Sequence, residues 1–377
     1  MTADRVAALQ RALARDASSP ATTGSETRFV RAPGRVNLIG EHTDYQGGFC
    51  LPIAIDLEVW CAWRPRDDGA IHVRSLDLDD HAQFTFDTVA AAVEPAWARP
   101  AAGIAQVLAG LGAQRGLDLA VSSTIPIGSG LSSSAAFEVA CGIAIAAASG
   151  LDISATPLAL AAQRAEHLAT GVPCGAMDQM ASVHGVAGHA LLLDCRTLEV
   201  TPVALPDEVT VVVMHCGVPR TLVGTEYADR RATTEAAAAR LGVATLRDAQ
   251  PEQVADDPIA RHVVGENRRT LMFVAALRRG RLAELGPLLL ASHASLRDDF
   301  AVSTPALDAL VDALVEAGAL GARLTGAGFG GCVVALCRAG DARRVVERAA
   351  ARYATTSGNE ALSFVVHAVD GARAFVP

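Results

Sequence analysis

Residues 125–134, Ile-Pro-Ile-Gly-Ser-Gly-Leu-Ser-Ser-Ser, run straight into the stretch AAFEVACGIAIAAA that ends at Ala148. Glycines and serines fill positions 128–130 and 132–134, so this run cannot sit inside a helix or strand. Residues 135–148 are nearly all small or apolar, and most favour a helix. The junction is therefore predicted to be a flexible turn opening into a buried helix, with serines at the cap positions. Such a junction offers free backbone N–H groups and the positive end of the helix dipole to an anion. The glycines let the backbone approach a phosphate, and the hydroxyls can donate to it or ligate Mg2+. An ordinary capped core helix would account for one serine but not for the whole run.

Two common phosphate motifs are excluded. The chain has no lysine, its 32 basic residues all being arginine, so a G-x-x-x-x-G-K-[ST] loop is impossible. Gly128-x-Gly130-x-x-Ser133 lacks the third glycine of the dinucleotide fingerprint.

At 377 residues, two domains are expected. No apolar run reaches the roughly eighteen residues of a membrane span, which predicts a soluble protein with no membrane partner. A net charge of −9 without a basic run argues against nucleic acid. The eight cysteines form no C-x-x-C pair, and most lie in apolar runs where free thiols act as small hydrophobes. With no signal-peptide pattern, a cytoplasmic location is expected. A monomer or weak oligomer is the expected assembly.

In chain order, the opening MTADRVAALQRALARD predicts an amphipathic helix and SSPATTGSE a linker. Strand-like pieces at 29–39 and 49–55 flank Glu41-His42-Thr43-Asp44, a tight loop closed by Gly47-Gly48. Two carboxylates, an imidazole and a hydroxyl in four residues suit the hydroxyls of a sugar, although such a cluster also occurs as a solvated turn. Residues 53–88 alternate as strands, and helical periodicity returns near 97–114. A short strand then leads into the glycine–serine loop. Strands followed by helices without a steady βαβ rhythm predict an α+β fold.

A helix is predicted over 155–170, carrying Glu166 and ending at Gly171. Asp178 comes next in the turn VPCGAMDQM, where an N-cap role is the simple alternative to a functional one. His184 and His189 lack a third ligand, so metal binding there is not expected. Residues 189–206 read as a hairpin and 209–216 as a buried strand, with a domain boundary near Pro206. Helices are expected at 226–241, 261–279, 281–296 and 304–317. Their charged triplets, Asn267-Arg268-Arg269 among them, read as solvated faces. Gly326, Gly328 and Gly331 formally match G-x-G-x-x-G, but an apolar strand stands where a helix should. That stretch reads as strand–turn–strand, its glycine backbone packing against a ligand held by other elements.

Three stretches, PGRVNLIGEHTDYQGG, PIGSGLSSSAAFEVA and LTGAGFGGCVVAL, resemble in this order the galactokinases. These belong to a superfamily of small-molecule kinases that includes homoserine and mevalonate kinases. The resemblance extends through RAEHLATGVPCGAMDQMAS, RTLVGTEYADRR, HVVGENRRT and SHASLRDDFAVSTPALD, spanning 29–336. Gln46 and Ser129 depart from the residues usual in the family.

The resemblance implies a first domain (1–206) of mixed sheet and helices and a ferredoxin-like second domain (207–377), with the active site between them. It implies transfer of the γ-phosphoryl group of MgATP to the C1 hydroxyl of α-D-galactose. Motif by motif, Asp178 matches the proposed catalytic base and Arg35 its cationic partner. Glu41, His42, Asp44, Gly175 and Tyr227 match sugar contacts, with Thr43 in the same loop. Gly128, Ser129, Gly130, Leu131, Ser132, Ser133 and Ser134 match the ATP loop, and Ser134 and Glu166 the Mg2+ ligands. Two rival functions share these motifs. A sensor that binds without turnover is disfavoured by the intact GLSSSAAF, Arg35 and Asp178. A kinase of a related sugar such as N-acetylgalactosamine differs only in pocket shape.

Overall fold

The structure, a computed structural model, describes residues 2–15, 26–126, 128–218 and 223–376. The first half of the chain contains α1 (Thr2–Arg15), β1 (Arg28–Asn37), β2 (Phe49–Cys50), β3 (Pro52–Pro65), β4 (Ala70–Ser75) and β5 (Asp80–Thr85). It continues through α2 (Arg99–Ala109), β6 (Leu117–Ser123), α3 (Ser133–Ser149), α4 (Ala155–Thr170), α5 (Met177–His184), β7 (His189–Asp194) and β8 (Glu199–Ala204). The second half runs β9 (Val209–His215), α6 (Val223–Leu241), α7 (Pro258–Arg278), α8 (Leu282–Asp298), α9 (Pro305–Ala317) and β10 (Gly321–Thr325). It closes with β11 (Cys332–Arg338), α10 (Ala342–Ser357), β12 (Leu362–Val366) and β13 (Arg373–Phe375).

Local chemistry accounts for the element ends. α9 begins where Thr304 accepts from the Leu307 N–H ahead of Pro305, and ends at Gly318 with φ 109°. α7 begins the same way, with Asp257 capping Ala260 ahead of Pro258.

The sheets confirm an α+β fold. A six-stranded sheet, in the order β13-β1-β3-β6-β4-β5, is mixed because β4 and β6 run parallel. The second half forms a four-stranded sheet, β10-β11-β9-β12, antiparallel throughout. Strands β9, β10, β11 and β12 taken as one to four give the order 4-1-3-2 with helices after the first and third, which is the ferredoxin-like arrangement. β9 alternates its side chains between two cores. Val211 and Val213 join the core of the first half, while Val212 and Met214 face α9 and α10. The first of these cores thus holds residues of both halves, Val30 and Leu131 together with Val213 and Val334.

β13 pairs with β1, Phe29 opposite Phe375, and Ala368 bridges to Ile55, so the last residues return to the first sheet. The pairing is long-range and leaves no local signal. No helix among the described residues is long and apolar enough to cross a membrane. The expected linker at 18–26 lies largely outside the described residues.

Candidate active site

A cavity of about 620 Å³ opens where the end of β1, the loop after it, the N-termini of α3 and α5 and the glycine turn before β11 meet. β1 delivers Arg35 into its wall, just past a register shift between Pro33 and Arg35. The preceding Gly34 lies so close to the glycine–serine loop that a β-carbon would sit 2.5 Å from the Leu131 carbonyl oxygen. The Arg35 N–H donates to that same oxygen at 3.1 Å. The PGR stretch and the loop therefore form one packed unit.

Arg35 is buried, and its guanidinium grips Asp178 with two bonds, Nε to Oδ1 and Nη2 to Oδ2, each 2.8 Å. Nη1 donates to the Gly130 carbonyl oxygen at 2.7 Å. Asp178 stands in the first turn of α5 and keeps about a third of its side chain exposed. Ser132 Oγ donates to Asp178 Oδ2 at 2.5 Å. The expected serine cap is thus replaced: Ser132 adopts a left-handed backbone (φ 61°) and spends its hydroxyl on Asp178. Gly128, Gly130, Ser132, Ser133 and Ser134 line the cavity. Ser129 and Leu131 do not. Leu131 is core, and Ser129 is buried, its carbonyl accepting from Cys332 Sγ.

Across the cavity stand Glu41, His42, Asp44 and Tyr227. Burial, followed by the neighbouring Asp178 charge, lifts the Asp44 carboxyl to about 7. Burial, followed by His262, lowers His42 to about 3, so its ring is neutral at pH 7. The neutral ring stacks on Phe300 and Tyr227, and Nε2–H donates to the Ala327 carbonyl at 3.1 Å. This contact ties the 41–44 loop to the glycine turn of the second half. Gly175 lies against Asp44.

Thr43 does not face the cavity. It is fully buried, and its hydroxyl serves the backbone carbonyls of Gly40 (3.0 Å) and Phe49 (2.9 Å), pinning the loop from behind. Of the triplet Asn267-Arg268-Arg269 only Arg268 is exposed as a solvated face would require. Asn267 is buried and accepts from the Phe49 N–H, while Arg269 pairs with the buried Glu266.

Among the described residues no three His, Cys, Asp or Glu side chains cluster as a metal site. Ser134 lines the cavity, and Glu166 on α4 carries a buried Oε2 that accepts from no N–H or alcohol group. A hydroxyl and a carboxylate oxygen are hard donors, and so few of them suit Mg2+, which keeps waters and takes phosphate oxygens. Behind Glu166 lies the fully buried Glu138, its carboxyl pushed well above the usual carboxylate range by burial and then by Glu166, with Gln179 donating to its Oε2 at 3.2 Å.

Sequence reasoning missed Arg323 and Glu266. Arg323 is wholly buried in β10 and its Nη2 donates to Glu41 Oε2, while Asn37 Nδ2 donates to the same oxygen at 3.3 Å. One signal was available: a lone arginine between Ala322 and Leu324 in a short apolar strand needs a buried counter-charge.

The chain matches three family models. These are the galactokinase galactose-binding signature over residues 21–65, the GHMP kinases N terminal domain over 99–186 and the GHMP kinases C terminal model over 273–355. It is 45% identical to a galactokinase of Chloroflexus aurantiacus, covering 89% of this chain and 90% of that one. A galactokinase of Haemophilus influenzae is 41% identical over 91% of this chain and 94% of its own. Among solved structures, that of Lactococcus lactis galactokinase complexed with galactose superposes with a TM-score of 0.89 at 32% identity, covering 98% of this chain and 99% of that one.

Proposed function

The chain belongs to the galactokinase family of the GHMP kinases and phosphorylates galactose at the expense of ATP, and we propose that Asp178 and Arg35 carry the transfer to the C1 hydroxyl. In this reading α-D-galactose lies against Glu41, His42, Asp44, Tyr227 and the backbone at Gly175. The triphosphate lies along Gly128, Gly130 and Ser132–Ser134, whose backbone N–H groups and hydroxyls neutralise its oxygens. Thr43, Ser129 and Leu131 shape these loops without touching substrate.

The observation that carries this reading is the two-bond Arg35–Asp178 pair, set in the wall shared by the sugar loop and the glycine–serine loop. The C1 oxygen attacks the γ-phosphorus, the bond from that phosphorus to the β–γ bridging oxygen breaks, and ADP leaves. The hydroxyl proton passes to an Asp178 carboxylate oxygen. Arg35 fixes the plane of that carboxylate and places a positive charge beside the transferring group. Positioning and charge stabilisation dominate phosphoryl transfer, and a positioned base adds roughly 10² to 10⁴ in rate.

Ser134 and Glu166 would hold Mg2+ through oxygen. When bound, the ion neutralises the phosphate oxygens. The same reading divides the chain near Pro206, with 367–376 returning to the first sheet. It also takes the protein to act in the cytoplasm as a monomer or weak oligomer.

The test is Asp178→Asn in the purified protein, assayed for sugar-dependent ADP release and for galactose binding by calorimetry. Binding is expected to persist while most turnover is lost. Near-normal turnover overturns the base assignment. Wild-type turnover compared across galactose, N-acetylgalactosamine, arabinose and mevalonate is expected to favour galactose.

A further inference from the structure

The Gly40–Glu41 backbone is held by a carboxylate more than two hundred residues away. We infer that Glu266, on α7, is a positioning residue for galactose. It fixes the sugar loop so that the Glu41 carboxylate faces the ring hydroxyls, and Arg323 completes the same clamp. The inference deepens the proposed function and rests on its reading of Glu41 as a sugar contact.

Glu266 Oε1 accepts from two successive backbone N–H groups, Gly40 at 3.0 Å and Glu41 at 3.3 Å, and from Ser292 Oγ at 2.7 Å. Oε2 accepts from Arg269 Nε at 2.7 Å. The N–H groups can converge on one oxygen because Gly40 adopts φ +95°, in a space where a β-carbon would meet the Phe49 carbonyl at 2.4 Å. The Glu41 carbonyl in turn accepts from His262 Nε2–H at 3.1 Å, one helical turn before Glu266. Glu41 is therefore held at its N–H, at its carbonyl and, through Arg323 and Asn37, at Oε2. Oε1 takes part in none of these bonds, and Glu41 lines the cavity.

Glu266 is wholly buried. Burial pushes its carboxyl upward, but Arg269, His262 and Arg323 overcome that and hold it at about 2, so it is ionised throughout the working range. A buried ion network is a poor device for stability alone, since apolar residues of similar volume often serve as well or better. What a fixed charge supplies is position. Misplacing a binding group by about 1 Å can cost as much as about 10²-fold, so a clamp on the loop backbone is a lever on recognition. Apart from Asn37 at the end of β1, the clamp comes from α7, α8 and β10, whereas Glu41 lies just beyond β1. Galactose recognition thereby depends on the docking of the second half of the chain.

The test compares Glu266→Ala, Glu266→Gln, Glu41→Ala and the double Glu41→Ala/Glu266→Ala, each assayed for galactose KM, ATP KM, kcat and melting temperature. Glu266→Ala is expected to raise the galactose KM about tenfold with the ATP KM changed less than about twofold. Glu266→Gln keeps an acceptor oxygen for the two N–H groups and is expected to recover part of the loss. The double variant is expected to lose no more than Glu41→Ala, because the clamp acts through that carboxylate.

A galactose KM that does not move, a parallel rise in both KM values, or additive losses in the double variant overturns the inference. If Glu266→Ala fails to fold, Arg323→Lys and Ser292→Ala are read in the same way, each weakening one arm of the clamp. If Glu41→Ala itself leaves the galactose KM unchanged, it is the reading of Glu41 as a sugar contact that fails, whatever Glu266 does.

Discussion

Asp44 occupies the space that a side chain at position 175 would need. A β-carbon on Gly175 would lie 1.8 Å from Asp44 Oδ2 and 2.3 Å from its carboxyl carbon. Gly175 is not among the residues with positive φ, so the glycine serves space and not backbone conformation. Two stretches 131 positions apart in the chain thus meet at van der Waals contact in the cavity wall.

The consequence is that Gly175→Ala should displace Asp44 without disturbing the nucleotide loop. The galactose KM is expected to rise by about tenfold or more while the ATP KM stays within about twofold. Combining it with Asp44→Ala removes the clash, so the double variant should be no worse than Asp44→Ala alone. Steady-state kinetics on the three variants decide the matter. Equal effects on both substrates would mean that the change acts beyond Asp44.

Asp44 also gives the protein a pH signature. Its carboxyl titrates near 7 in the folded chain, raised by burial and then by Asp178, against an ordinary value of 3.8. Between about pH 4 and pH 7 the folded state therefore binds more of this proton than the unfolded state. This contribution to stability falls as pH rises through that window and is flat outside it. The slope cannot exceed about 1.4 kcal/mol per pH unit for one proton. Asp44→Asn carries no titrating group, so the stability of wild type minus that of the variant should fall between pH 5 and pH 7. Urea unfolding of both proteins at several pH values measures it, and a flat difference would place the Asp44 titration elsewhere.

Much of this was legible in the sequence because it is written locally. Helices α7 and α9 carry their own Asp257-Pro258 and Thr304-Pro305 starts, and the glycine–serine run announces its turn. What was not legible depends on distance. Arg323 meets Glu41 across 282 positions and Glu266 meets the Glu41 N–H across 225, so neither partner's neighbours in sequence reveal the pairing. Thr43 shows the same limit in reverse. Its hydroxyl suits a sugar as well as a carbonyl, and only the inward turn of Gly40 and Phe49 assigns it to the backbone. The return of β13 to β1 likewise has no local mark.

Glu166 provides a metal-specific prediction. Its Oε2 is buried and accepts from no N–H or alcohol group, although Glu166 also interacts with the Glu138 carboxyl. Glu166→Ala should raise the Mg2+ concentration needed for half-maximal rate by about tenfold or more, since an ion held by few protein oxygens loses much with each one. The galactose KM should stay within about twofold, because Glu166 is not among the residues that line the cavity. Mg2+ titrations at saturating ATP and galactose read this directly. An unchanged titration would move the ligand to another oxygen.

The last prediction separates Arg35 as a charge from Arg35 as a shape. Its planar fork reaches three acceptors at once: both Asp178 oxygens and the Gly130 carbonyl. A lysine ammonium keeps the charge but is a point on a flexible stem, and it cannot hold a carboxylate plane and a loop carbonyl together. If shape matters, Arg35→Lys should lower kcat by about tenfold or more, with Arg35→Ala lower still. The galactose KM should change little, because the proposed sugar contacts lie on the other wall. If charge alone matters, Arg35→Lys should stay near wild type. If Arg35 serves only to pack β1 against the loop, both variants should lose melting temperature in step with activity. Turnover and melting temperature on the same samples distinguish the three. The two-bond grip on Asp178 at 2.8 Å and the third bond to the loop favour the first.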